Sequence, residues 1–96
     1  MLPFYVYILK CSDDSYYTGH TDDIDKRLHE HKTSTYDDSY TSSRLPFKLV
    51  FMQEFATRYE ALAAERKIKG WGRKKKEALI AGDWEKISQL ASRKKI

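Results

Sequence analysis

Charged side chains fall on the apolar faces of two predicted helices. In the first helix, Arg27 and His31 are four residues apart and share a stripe with Ile24 and Leu28. In the second helix, Glu65 lies among small and aliphatic residues. Each alone is most often a rim arginine, a satisfied core histidine or a structural ion pair. Inward charges on two helices that face one sheet, however, indicate a candidate site.

Four tyrosines crowd one predicted hairpin near the amino terminus. Tyr5 and Tyr7 belong to its first strand, and Tyr16 and Tyr17 belong to its second. A phenol can transfer a proton or contact a phosphate. Aromatic rings on neighbouring strands also pack against each other without any chemical role. The composition of the hairpin leaves both interpretations open.

A basic segment follows Glu65 along the chain. Residues 66–76 contain seven lysines and arginines and no acid. Such a run is commonly a solvated helix face. This one also contains a tryptophan, which favours binding of a phosphate backbone with a base stacked on an exposed ring. The predicted nucleic-acid-binding residues are Arg44, Lys67, Lys69, Trp71, Arg73, Lys74, Lys75 and Lys76.

Other reactive side chains carry weaker signals. His29 and His31 are two residues apart on a helix, so they do not share a face and form a poor metal pair. His20 stands apart from the other candidates. Cys11 is the only cysteine, which excludes an internal disulfide and a zinc ribbon and predicts a small packed residue. The four glycines form no P-loop or Rossmann phosphate loop.

Length and composition bound the remaining possibilities. A chain of 96 residues predicts one domain over residues 1–96, ordered to residue 92 and frayed over 93–96. Hydrophobic residues make up 41% and charged residues 33%, which disfavours both disorder and a membrane span. The single cysteine and the lack of a signal-peptide pattern predict a reducing, cytoplasmic location.

The net charge of +4 hides an asymmetry along the chain. Residues 1–40 carry eight acids, four bases and six of the seven tyrosines. Residues 41–96 carry six acids and fourteen bases. A mildly basic, tyrosine-rich small domain is typical of proteins that bind a polyanion.

Three predicted strands must position the tyrosines. Residues 4–9 form a continuous apolar run, which predicts a strand covered on both faces. A turn over residues 12–15 then leads to a second strand over residues 16–21. Residues 47–55 alternate loosely and predict a third strand, and the polar residues 33–43 before it predict a long surface loop.

Capping signals divide the rest of the chain into four helices. Thr57 and Glu60 form a capping box, and Gly82 suits the residue just after a helix. The helices are predicted from the 21–23 cluster to about residue 32, from 57 to about 69, from 73 to 81, and from 83 to about 92. The fold class is therefore α/β, with a small, mainly antiparallel three-stranded sheet flanked by helices.

The motifs Tyr5-Val6-Tyr7 and Tyr17-Thr18-Gly19, separated by nine residues, resemble the paired motifs of the GIY-YIG nuclease superfamily. Arg27 lies ten residues after the second tyrosine, His31 follows one helical turn later, and Glu65 lies in the next helix. This order and spacing cover nearly the whole chain. The resemblance is greatest to small stand-alone bacterial members of uncharacterised role.

The resemblance implies hydrolysis of a phosphodiester with one divalent cation, Mg²⁺ or Mn²⁺. By position, Tyr7 takes the role of general base toward the attacking water, and Tyr17 assists it. Arg27 matches the arginine that contacts the scissile phosphate. His31 matches a position that assists proton transfer or phosphate contact. Glu65 matches the single carboxylate that binds the metal.

Some positions depart from the family pattern. Tyr5 replaces a glycine, Thr18 replaces an isoleucine, and residues 74–77 lack the asparagine of many family enzymes. The match also makes a prediction about strand register. Tyr7 and Tyr17 can share a face of the sheet only if the hairpin loop contains an odd number of residues.

The implied function is that of an endonuclease or nickase acting on DNA, including branched or damaged DNA in repair or recombination. RNA is a further possible substrate, and a protein partner could supply targeting. The alternative is a non-catalytic nucleic-acid-binding module that retains the nuclease fold. A protein-interaction scaffold is a third and less favoured interpretation.

Overall fold

The computed structural model describes residues 3–33 and 44–87, which form a three-stranded antiparallel sheet with helices. The strand order is β2-β1-β3, so the first strand is central and the predicted fold class is confirmed. The elements are β1 (Phe4–Lys10), β2 (Tyr16–Thr21), α1 (Ile24–Thr33), β3 (Lys48–Phe55), α2 (Arg58–Lys69) and α3 (Arg73–Ala81).

The β1–β2 hairpin sets the register on which the candidate site depends. Tyr7 pairs with Gly19, and Leu9 pairs with Tyr17. The connection covers residues 11–15, an odd number, and Asp14 within it has a left-handed backbone with φ 67°. Because side chains alternate along a strand, Tyr7 and Tyr17 lie on the same face, as the resemblance required.

The main core lies on the other face of the sheet. Val6 and Ile8 of the central strand are fully buried there and pack against α2 and α3. The buried helix residues of this cluster are Ala61, Ile68 and Leu79. Burial of such aliphatic side chains is the main source of stability in a domain of this size.

The predicted helix caps are confirmed in the structure. At the start of α1, Asp23 Oδ1 accepts a hydrogen bond of 3.1 Å from the Lys26 backbone N–H. At the start of α2, Thr57 Oγ1 accepts one of 3.2 Å from the Glu60 N–H. Gly82 closes α3 with a φ of 73°, a conformation that favours glycine.

The last helix is described only at its beginning. Residues 84–87 are helical, and Asp83 Oδ1 accepts a hydrogen bond of 3.0 Å from the Lys86 N–H, as the sequence predicts for its cap. The continuation of this helix, the frayed tail and the long loop were predicted within residues 88–96 and 34–43, which lie outside the described residues.

Candidate active site

Three of the predicted site residues meet in an aromatic cluster between the hairpin and α1. The Tyr7 hydroxyl and His31 Nε2 share a buried hydrogen bond of 2.9 Å. The His31 ring packs edge-on against Tyr17, with 5.2 Å between ring centroids, and the two tyrosine rings are 6.3 Å apart. Phe47 adds a further edge contact to His31 at 6.0 Å. The cluster therefore combines a polar pair with fixed ring geometry.

Gly19 makes room for this cluster. It lies directly opposite Tyr7 across the hairpin, and the Tyr7 ring extends over its Cα. A Cβ at this position would stand 2.6 Å from the Tyr7 hydroxyl oxygen, well inside van der Waals contact. The glycine of the second motif is therefore needed for close approach of an aromatic ring.

Burial separates the roles open to the two tyrosines. Tyr7 has no exposed surface and His31 is 1% exposed, whereas Tyr17 is only partly buried. A general base must reach the water from which it takes a proton. The expectation that Tyr7 acts directly on the attacking water, with Tyr17 assisting, therefore disagrees with the burial of the two side chains.

Arg27 borders an open cavity at the end of β2, where the chain enters α1. The cavity has a volume of about 400 Å³. Lys26, Arg27 and Arg58 place positive charge on its walls, His20 also lines it, and three carboxylates share the lining. Arg27 lies within 4.0 Å of Glu30. Arg27 precedes His31 by one turn of α1, and His20, which lines the same cavity, contacts Glu65.

Glu65 belongs to a second polar group, on the opposite face of the sheet from Tyr7. Its side chain is 11% exposed, and its Oε1 accepts a hydrogen bond of 2.9 Å from His20 Nδ1. Its Oε2 lies 3.7 Å from Lys69 Nζ. His20 pairs with Val6 in the sheet, which places it on the helix-covered face.

The candidate residues thus form two groups joined by the edge strand β2. Tyr7, Tyr17 and His31 lie on one face, and the contacts of Glu65 lie on the other. The interpretation of His20 as standing apart from the other candidates is wrong, because its ring contacts Glu65. The signal that could have found it is the alternation of β2, which directs His20 toward the helix that carries the inward carboxylate.

The arrangement of the metal-ligating side chains determines which kind of metal ion the site could bind. Across residues 3–33 and 44–87, no three His, Cys, Asp or Glu side chains come together as a ready metal cage. A zinc-type ligand set is therefore not formed by this part of the chain. Mg²⁺ differs, because it keeps several waters and needs only one or two carboxylates, and Glu65 supplies one.

The basic run is only partly a free surface. Lys67, Lys69 and Lys74 are exposed. Trp71 is half-buried against the main core, and the Lys75 ammonium lies 4.4 Å from its ring centroid. The expectation of an exposed ring at Trp71 is therefore wrong, because the core and Lys75 already cover much of it.

Positive charge gathers beside the metal-ligand candidate. Lys76 is partly buried, and this burial lowers its pKa, while the nearby charge of Lys69 lowers it further. Lys69 also contacts Glu65. The group therefore joins the carboxylate to the start of the basic run, where an anionic chain would be attracted.

Two arginines of the predicted nucleic-acid surface hold the hairpin turn. Arg73 Nη1 donates a hydrogen bond of 2.6 Å to the Asp14 carbonyl, and its guanidinium lies 4.7 Å from the Tyr16 ring centroid. Arg44 Nε donates one of 2.8 Å to Asp13 Oδ2. These contacts give both arginines a structural role, and their binding of nucleic acid stays a prediction.

The helices of this fold are short. Within the described part of the chain, none combines the length and the apolar character needed to cross a bilayer.

Comparison with known proteins places this geometry in a family. A sequence model of the GIY-YIG catalytic domain matches residues 3–78. The UPF0213 protein BH0048 of Halalkalibacterium halodurans is 41% identical over 91 residues, covering 92% of this chain and 96% of that protein. The UPF0213 protein HQ_3675A of Haloquadratum walsbyi is 45% identical over 75 residues, covering 78% of this chain and 83% of that protein.

Solved structures agree with the sequence comparison. The solution NMR structure of the UPF0213 protein BH0048 from Bacillus halodurans superposes with a TM-score of 0.55 at 42% identity, covering 82% of this chain and 83% of that one. The solution NMR structure of the protein EF2693 from E. faecalis gives a TM-score of 0.59 at 34% identity, covering 83% and 84%. The resemblance inferred from the two tyrosine motifs is confirmed, and the chain belongs to the GIY-YIG catalytic domain family.

Proposed function

We propose that this protein is a divalent-cation-dependent endonuclease or nickase that hydrolyses phosphodiester bonds in DNA, with branched or damaged DNA in repair or recombination as its targets. Family membership implies a nuclease-type fold. The observation that carries the proposal is the buried 2.9 Å hydrogen bond between Tyr7 and His31, with the partly exposed Tyr17 packed on the same imidazole.

Tyr17 is the tyrosine that we assign to the attacking water. Its partial exposure lets the phenol oxygen, in its phenolate form, accept a proton from a water. Tyr7 and His31 are buried behind it and act as positioning residues, because their hydrogen bond fixes the imidazole against which Tyr17 packs. This exchanges the roles that the resemblance alone suggests for the two tyrosines.

Arg27 is assigned to the phosphate. Arg27 lines the cavity at the end of β2, and an arginine guanidinium can donate two parallel hydrogen bonds to the non-bridging oxygens of a phosphate. As the water oxygen forms its bond to phosphorus, the ester P–O bond breaks, and the leaving oxygen departs with the bonding electron pair and takes a proton from solvent. Arg27 then opposes the negative charge that develops on the phosphate.

The ligand chemistry fits one hydrated divalent ion held by Glu65. The carboxylate is nearly buried but keeps an exposed fraction of 11%, and within residues 3–33 and 44–87 the ion-pair partner of Oε2 is Lys69, whose side chain is 54% exposed. When bound, Mg²⁺ or Mn²⁺ would supply positive charge for the phosphate and the leaving oxygen. Because β2 is an edge strand, a DNA backbone that passes its edge can meet groups on both faces.

The proposal is tested by cleavage of single-stranded, duplex, flap and junction DNA and of RNA, with Mg²⁺ and with Mn²⁺. Tyr17→Phe and Glu65→Gln should each lower the rate by at least about 10²-fold, since each removes a group that acts in the transition state. Both variants should bind DNA as the wild type does. Glu85→Gln, which changes an exposed carboxylate in the first turn of the last helix, is the matched control.

A non-catalytic nucleic-acid-binding module is the second candidate. The observation that favours it is the pairing of both Glu65 oxygens, with His20 and with Lys69. Wild-type protein that binds every substrate with a strong salt dependence but cuts none of them would establish this candidate and refute the nuclease.

A further inference from the structure

The contact between His20 and Glu65 defines which nitrogen of the imidazole carries a proton. An ionised carboxylate can only accept hydrogen bonds, so the 2.9 Å contact requires an N–H at His20 Nδ1. The two side chains are 24% and 11% exposed. A strand residue on the covered face has little freedom, so His20 holds Glu65 Oε1 in one orientation.

Lys69 contacts the other oxygen in a different way. Its Nζ lies 3.7 Å from Glu65 Oε2, and its side chain is 54% exposed. The two residues are four apart on α2, a spacing that gives weak surface ion pairs. A long, exposed lysine can swing into solvent at small cost, whereas His20 cannot.

We propose that His20 is a positioning residue that fixes Glu65 Oε1 and thereby presents Oε2 to a divalent cation, while Lys69 occupies the place of that cation in the free protein. The inference rests on the proposed function, because that function assigns the metal to Glu65. It adds two residues with opposite effects. His20 favours cation binding, and Lys69 competes with it.

The two contacts of Glu65, with His20 and with Lys69, should have opposite effects on the affinity for the divalent cation. His20→Ala removes the donor that orients the carboxylate, which should weaken cation binding by about tenfold, the lower end of the effect of such supporting hydrogen bonds. His20→Asn places an amide N–H close to the position of Nδ1 and should restore binding to within about threefold of wild type. Lys69→Gln removes the competing ammonium and should tighten binding severalfold.

The experiment measures Mn²⁺ binding to the full chain without nucleic acid, by electron paramagnetic resonance of the free ion. Glu65→Gln defines the signal that belongs to this site. Lys67 is an exposed lysine on the same helix as Lys69. Lys67→Gln removes one positive charge, as Lys69→Gln does, but at a residue with no contact to Glu65, so it measures the effect of net charge alone on Mn²⁺ binding. His29→Ala, on the exposed side of α1, is the control for removing a histidine.

A second readout needs no metal. Multiple-bond ¹H–¹⁵N spectra should show a proton on His20 Nδ1 in wild type, as the contact with the Glu65 carboxylate requires, and Glu65→Gln should change that pattern because its amide no longer requires this donor. Thermal melts test whether each variant is folded. If His20→Ala does not fold, His20→Asn still tests the role of His20.

The outcomes separate this inference from the proposed function. If His20→Ala binds Mn²⁺ as tightly as wild type or more tightly, the role of His20 is overturned. The role is also overturned if His20→Asn binds Mn²⁺ as weakly as His20→Ala. Lys69→Gln that behaves like Lys67→Gln overturns the role of Lys69. If Glu65→Gln binds Mn²⁺ as wild type does, or if wild type binds none, Glu65 is not the metal ligand. The proposed function then loses its metal ligand, and the inference is wrong with it.

Discussion

A single methyl group added at Gly19 tests the geometry of the candidate site. The Cβ of Gly19→Ala would stand 2.6 Å from the Tyr7 hydroxyl oxygen, 2.7 Å from Tyr7 Cζ and 3.2 Å from Tyr17 Cε1. Favourable carbon contacts lie at about 3.5–4.0 Å, so the Tyr7 ring must move by about 1 Å. Tyr7 is fully buried and bonded to His31, so a shift of the ring disturbs its packing or that hydrogen bond.

The magnitude combines three terms. Overpacking of a buried site costs about 1–3 kcal/mol, and disruption of the buried hydrogen bond between Tyr7 and His31 costs about 1–3 kcal/mol. Replacement of glycine by alanine reduces the entropy of the unfolded chain, which offsets about 0.4–1 kcal/mol. The free energy of unfolding of Gly19→Ala should therefore fall by about 1–5 kcal/mol.

Urea denaturation measures this difference, with Gly70→Ala as the matched control. A Cβ at Gly70 would meet only ordinary contacts of 3.5 and 3.8 Å, so its effect should stay within about 0.5 kcal/mol. In a Tyr7→Leu background, Gly19→Ala should cost less than half as much, because the ring that clashes is absent. A Gly19→Ala protein as stable as Gly70→Ala would show that the Tyr7 ring does not lie over residue 19.

Two further predictions concern the hairpin turn. Arg73→Ala should lower the free energy of unfolding by about 1 kcal/mol, because it removes the hydrogen bond to Asp14 and the stacking on Tyr16; full recovery by Arg73→Lys in urea denaturation would contradict the stacking. Hydrogen bonds from Ser15 lower the pKa of Asp13 below its ordinary 3.8, so the carboxylate stabilises the fold above about pH 4 and loses this effect as the pH falls through the lowered pKa. The stability difference between wild type and Asp13→Asn should therefore shrink toward pH 2, and a difference independent of pH would exclude the charge as its cause.

Local signals in the sequence were enough to predict most of the fold. The caps at Thr57 and Asp83 depend on hydrogen bonds within three residues, and the structure contains both. The caps depend on neighbours in sequence, so the residue types determine them before any tertiary packing is known. The register of the hairpin was implied by the family resemblance, which requires Tyr7 and Tyr17 to share a face, and the strand pairing confirms it.

The parts that were missed depend on contacts between distant segments. His20 and Glu65 are 45 residues apart, and only the packing of α2 on the sheet brings them together. The difference in burial between Tyr7 and Tyr17 depends on what α1 covers. Trp71 was expected on the surface because it stands in a basic run, but its ring packs on the core and Lys75 lies over the ring face.

The same glycine that admits the Tyr7 ring also fixes where the reactive groups of β2 point. A shift of one residue in the hairpin would place Thr18 or His20 opposite Tyr7, and either Cβ would occupy the space that the ring now fills. Such a shift would also exchange the two faces of β2, moving Tyr17 away from His31 and His20 away from Glu65. The close approach at Gly19 therefore disfavours the alternative register, and the placement of both polar groups of the candidate site depends on it.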